Sequence, residues 1–186
     1  METLLPVFIA VLLAETGGRV QARSHSLQLR FDVALPILAA LSVSTMASLL
    51  VAAIGGMIIA TSIGFDARTL LAGLALIIAG APMVFRFPLV AGATGPTPFI
   101  ASLKGFAPLQ FGDASQFIVF AFATRSGQPM FAIGAGLIAT LASAAFPILL
   151  GRDWSGTLPL GIFRRIAALL LVGAGSWMLV SALRLI

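Results

Sequence analysis

Two carboxylates in this chain stand where a carboxylate is hard to keep. Of its six acidic residues, Glu15 and Asp113 fall inside long apolar stretches. A charge at membrane depth is expensive, so such residues mark ion pathways, proton relays or buried ion pairs. Each lies in a polar cluster. The first is Leu13-Ala14-Glu15-Thr16-Gly17-Gly18-Arg19-Val20-Gln21, and the second is Leu109-Gln110-Phe111-Gly112-Asp113-Ala114-Ser115-Gln116-Phe117. Carboxylate, amide and hydroxyl oxygens together suit a hard cation. The candidate ligands of a metal ion are therefore Glu15, Asp113, Gln110, Gln21, Gln116 and Ser115. Gly17, Gly18, Arg19 and Gly112 support them, since glycines permit close helix approach or local unwinding that frees backbone carbonyls. On a continuous helix Glu15, Gly18 and Arg19 share a face, as do Gln110, Asp113 and Ala114. Set antiparallel, the two helices bring Glu15 and Asp113 to one ligand.

The elements that position these clusters follow from hydropathy. Of 186 residues, 60% are hydrophobic and 9% charged, with a mean hydropathy of +1.11. A soluble domain carries roughly 25% charged residues, so this is an integral membrane protein whose first partner is the lipid bilayer. A membrane-crossing helix needs about 20 apolar residues. Six segments qualify: about 4–30, 33–63, 69–85, 99–124, 130–151 and 166–183. Gly- and Pro-rich breaks separate them, the longest running from Arg86 to Pro98. With no cysteine and one histidine, disulfide frameworks, zinc ribbons, haem attachment and cysteine nucleophiles are excluded. No resident cofactor and no enzyme activity are expected, because no nucleophile–base pair is visible. The net charge of +5 is scattered among apolar segments, which speaks against nucleic-acid binding. The N-terminus lacks a basic region and runs into Glu15, so it is not expected to be a cleaved signal peptide.

Sliding the chain along itself by 95 residues, without gaps, aligns Gly17 with Gly112, Gln21 with Gln116 and Arg30 with Arg125. Thr45 and Ser48 then meet Thr140 and Ser143, and Ala79-Gly80 with Met83 meets Ala174-Gly175 with Met178. This reads as an internal duplication within one transmembrane domain, 1–186, with repeat one about 1–86 and repeat two about 97–186. Three helices per repeat invert the second copy relative to the first, so the expected fold is an all-α membrane protein of six transmembrane helices in two inverted repeats. Basic residues set the orientation. Arg23, Arg30, Arg86, Arg152, Arg164 and Arg165 fall after helices one, three and five, against Arg68, Arg125 and Arg184 on the other face. The positive-inside rule places both termini outside the cytoplasm. The compact, loop-poor chain suits a bacterial inner membrane.

The paired clusters resemble the Gdt-type family of six-helix cation transporters, whose signature Glu-x-Gly-Asp-Lys-Thr/Ser, usually followed by Gln, is present once per repeat. The resemblance implies a Mn2+/Ca2+–proton exchanger, with small cations and protons as partners. In the first motif Glu15, Gly17 and Gln21 stand, with Gly18 at the Asp position, Arg19 at the Lys position and Val20 at the hydroxyl position. In the second, Gly112, Asp113, Ser115 and Gln116 stand, while Gln110 replaces Glu and Ala114 replaces Lys. Four motif carboxylates have become two. One unit charge at about 4 Å and an effective dielectric near 20 is worth roughly 4 kcal/mol before desolvation, so divalent affinity should fall.

Other readings stay open at this level. Glu15 and Arg19, at i and i+4, can simply neutralise each other. Ser44, Thr45, Ser48, Thr140 and Ser143 suit interhelical packing, as does Gly173-Ala174-Gly175. His25 and Trp154 read as interfacial. In place of a divalent metal exchanger, the same architecture can carry a monovalent cation or small solute, as the distantly similar lysine-exporter superfamily illustrates. It can also serve as a non-transporting membrane partner.

Overall fold

Apolar runs punctuated by glycine and proline set the helix boundaries of the computed structural model, which describes residues 3–84, 94–151, 154 and 160–183. The helices are α1 (Leu4–Glu15), α2 (Arg19–Phe31), α3 (Ala34–Ala60), α4 (Phe65–Gly80), α5 (Pro98–Gln110), α6 (Ala114–Ser126), α7 (Pro129–Leu150) and α8 (Leu160–Ala182). Among the described residues there is no strand. Pro98 and Pro129 open α5 and α7, where a missing N–H costs nothing. Pro82 cannot donate to a continuing helix, and α4 gives way to a short 3-10 turn, Ala81–Val84. Arg86, Arg152, Asp153 and Arg184, and most of the expected loop 86–98, lie outside the described residues.

Among the described residues, four stretches are long and apolar enough to cross a bilayer: Ala34–Ala60, Phe65–Val84, Pro129–Leu150 and Gly161–Ala182. They correspond to the second, third, fifth and sixth expected segments. The first and fourth are not continuous. Residues 4–30 fold as α1 and α2, bent by 62° at Thr16–Gly18, a pair that can count as a fifth span. Residues 99–124 fold as α5 and α6, 13 residues each. Thirteen residues reach about 20 Å, short of a hydrocarbon core of about 30 Å. Among the described residues, eight helices and four or five candidate spans therefore stand where six unbroken helices were expected. The reason is local: Gly17 and Gly112 adopt φ of +64° and +76°, a left-handed turn that ends one helix and starts the next.

Burial is organised for lipid. The inner face of α3 carries Ser44, Thr45, Ser48, Ala52 and Gly56, while Val51, Ile54 and Ile58 face outward. Small and hydroxyl residues inside with large apolar ones outside is the pattern of membrane helix bundles. Glycines let α4 and α8 touch backbone to backbone: a methyl group on Gly73 would lie 2.7 Å from the Gly175 carbonyl oxygen, and one on Gly175 2.5 Å from that of Gly73. Helices α1–α4 and α5–α8 follow the same order, two short then two long. Packing is exchanged between the two sets: α1 and α2 lie against α7, and α5 and α6 against α3. Trp154, expected at the membrane surface, is buried instead.

Candidate functional site

Both breaks are built alike. At the first, the Gly17 N–H donates to Gln21 Oε1 at 2.8 Å. At the second, the Gly112 N–H donates to Gln116 Oε1 at 2.6 Å. Each glutamine then ties its break to the long helix of the other set. Gln21 Nε2 donates to the Ser143 hydroxyl (2.7 Å) and carbonyl (3.1 Å), and Gln116 Nε2 to the Ser48 carbonyl at 3.3 Å. The Ser48 hydroxyl closes a further link by donating to the Gln110 carbonyl at 2.9 Å. An unwound backbone inside an apolar bundle needs such partners for the amides its turn releases. Gln21 and Gln116, taken from sequence as candidate ligands, thus have their side chains engaged in holding the breaks.

The breaks bring the two carboxylates together. Arg19 reaches across to the other motif, its Nη2 lying 3.1 Å from Asp113 Oδ1. Asp113, which has no cation within four residues of it along the chain, finds one there. Glu15 is 2% exposed. Its electrostatic neighbours are Asp113, Ser115 and Arg19, and its Oε1 is buried without a hydrogen-bond partner. Because α1 ends at Glu15, the continuous face expected for Glu15, Gly18 and Arg19 does not form, and the same holds for Gln110, Asp113 and Ala114. The helices α2 and α6 instead start at the site, and the N-terminal ends of half-helices favour anionic groups such as these carboxylates.

A cavity of about 230 Å³ opens on this pair, lined by Glu15, Thr16, Gly18, Arg19, Gly112 and Asp113, with Ile78, Ala79, Pro82 and Met83 as an apolar wall. Ser115 lies beside Glu15, whereas Gln110, Thr45 and Thr140 do not line this cavity. All four are fully buried, and the Gln110 amide and the Thr45 and Thr140 hydroxyls lack hydrogen-bond partners. Among the described residues no group of three or more His, Cys, Asp or Glu side chains is close enough to hold a metal. The site is a carboxylate pair with cationic neighbours.

One of those neighbours escaped sequence reading. Arg164, assigned there to a loop, belongs to α8 and lines the same cavity. Only helical phase separates it from the exposed Arg165, and that phase was not visible before α8 was seen to begin at Leu160. Of the expected packing residues, Ser48 and Ser143 hold the breaks, and Gly175 makes the α4–α8 contact. His25 Nε2 meets the Gly151 carbonyl oxygen at 2.8 Å, at the end of the bundle where α7 stops.

Long apolar helices, short helices broken inside the bundle and a charged cavity at the breaks mark an integral membrane protein. Residues 98–185 match the family described as the divalent cation/proton antiporter GDT1. Comparison with curated proteins and with solved structures gave no match.

Proposed function

We propose that this chain is a secondary transporter that exchanges a cation, Mn2+ or Ca2+ in the first instance, for protons at the Glu15–Asp113 cavity. The observation that carries the reading is the meeting of two motif carboxylates at paired helix breaks in a chain whose residues 98–185 match the GDT1 family. A carboxylate as buried as Glu15 needs charge compensation, which a proton or a metal cation supplies in turn. Exchange of one for the other at a shared site is antiport. Ser115, beside Glu15, and Gln110, whose amide is buried without a partner, complete the donor set when the breaks rearrange.

The exchanged packing of α1–α2 on α7 and α5–α6 on α3 supports two inverted repeats, about 1–86 and 97–186, within one domain. In that arrangement each broken pair counts as one crossing, which makes six. With the basic residues at the end of α2 and the start of α8 facing the cytoplasm of a bacterial cell, both termini lie outside.

A second reading rests on the two guanidinium groups at the site: a cavity this close to electroneutral also suits a monovalent cation or a small solute. Uptake of Mn2+ and Ca2+ into proteoliposomes under an imposed pH gradient decides between them. Native protein should accumulate metal, and Asp113→Asn should abolish uptake while leaving the protein folded. If neither protein exceeds empty liposomes, the divalent reading fails.

A further inference from the structure

The carboxylate cavity is one end of a longer seam between α1, α4, α6 and α8. A larger cleft of about 1020 Å³ enters the same seam from the opposite end, reaching Leu13 and Leu76, while the smaller cavity begins at Ala14 and Ile78. Residues related by the 95-residue offset line the two spaces: Ala79, Pro82 and Met83 in the small one, Ala174, Trp177 and Met178 in the large one. The pairing is broken at one chemically decisive position. In the large cleft it holds Thr69, a neutral residue whose hydroxyl accepts from Arg125 Nε at 3.4 Å. In the small cavity it holds Arg164.

Arg164 is fixed over the first break. A methyl group on Gly17 would lie 2.5 Å from Arg164 Cδ and 2.7 Å from Cγ, so the side chain lies directly on the glycine turn. With Glu15, Asp113, Arg19 and Arg164 around one cavity, two formal negative charges meet two positive ones. We infer that Arg164 is a specificity-determining residue: its guanidinium is a built-in cation of the Glu15–Asp113 cavity, closing it at the α4 C-terminal end and competing with the transported cation. The inference rests on the site proposed above. It follows that a divalent ion binds only as Arg164 withdraws, and that this residue holds metal affinity down.

The test is Mn2+ binding to purified protein in detergent, followed by the electron paramagnetic resonance signal of free Mn2+. Removing one positive charge from the site should tighten binding by at least about tenfold in Arg164→Gln. Arg164→Lys should stay near the native affinity, and Glu15→Gln combined with Arg164→Gln should lose the gain. A thermal unfolding scan on each variant establishes that it is folded, and if Arg164→Gln is not, Arg164→Met takes its place. Equal or weaker binding by the folded neutral variant overturns the inference. A structural role alone does not tighten binding. Native transport with no affinity gain in the variant would sink this inference and leave the transporter reading standing. An affinity gain with no transport by either protein would do the reverse.

Discussion

At the residue scale the chain divides its motif side chains between two tasks. Glu15 and Asp113 face each other at a cavity, whereas Gln21 and Gln116 hold the turns that make this meeting possible. Residue type alone does not separate these tasks, because an amide oxygen serves a cation and a backbone N–H equally well. The distinction predicts different phenotypes. Gln21→Ala removes a partner from the Gly17 N–H and both bonds to Ser143, leaving buried groups unsatisfied. Its expected cost is about 2–3 kcal/mol of stability, read from denaturant unfolding in detergent. Gln116→Ala should cost less, since Gln116 makes one bond to Ser48 and that at 3.3 Å. Asp113→Asn should behave oppositely, losing transport with little loss of stability.

At the scale of elements, the two breaks differ in what lies above them. Gly17 and Gly112 share the left-handed conformation, but Gly17 lies under Arg164 and Gly112 has nothing within 4 Å of where a methyl would stand. Gly112→Ala should therefore cost only the conformational strain, about 1–2 kcal/mol. Gly17→Ala should cost more and also displace Arg164, which the same unfolding measurements and the Mn2+ titration detect together. Equal costs at the two positions would contradict the placement of Arg164. Much of this level was legible in the sequence. The uncharged run of α3 and the apolar runs of α7 and α8 set their own lengths, and the 95-residue offset paired the two motifs before any helix was seen. The breaks were not legible, because Glu-Thr-Gly-Gly-Arg and Gln-Phe-Gly-Asp-Ala fit the end of one helix and the middle of another alike. What decides is a side chain four residues on that accepts from the glycine N–H, an interaction visible only once the turn has formed. Arg164 was hidden for a related reason: of two adjacent arginines, the helix start alone selects which one enters the cavity.

At the scale of the whole molecule, the fold places the carboxylate pair in the smaller of two spaces, both lined by α1, α4, α6 and α8. Leu13 and Ala14, neighbours on α1, line the large and the small space respectively, as do Leu76 and Ile78 on α4. The packing of α1 and α2 on α7 and of α5 and α6 on α3 ties the two halves of the described helices together. The account's central claim is that a metal cation and protons exchange at Glu15 and Asp113. The most direct measurement traps a pH-sensitive dye inside proteoliposomes and adds Mn2+ outside. Native protein should raise the internal pH as Mn2+ enters and protons leave, and Asp113→Asn should leave it unchanged. An internal pH that stays level with native protein, or rises equally with the Asp113 variant, would contradict the account.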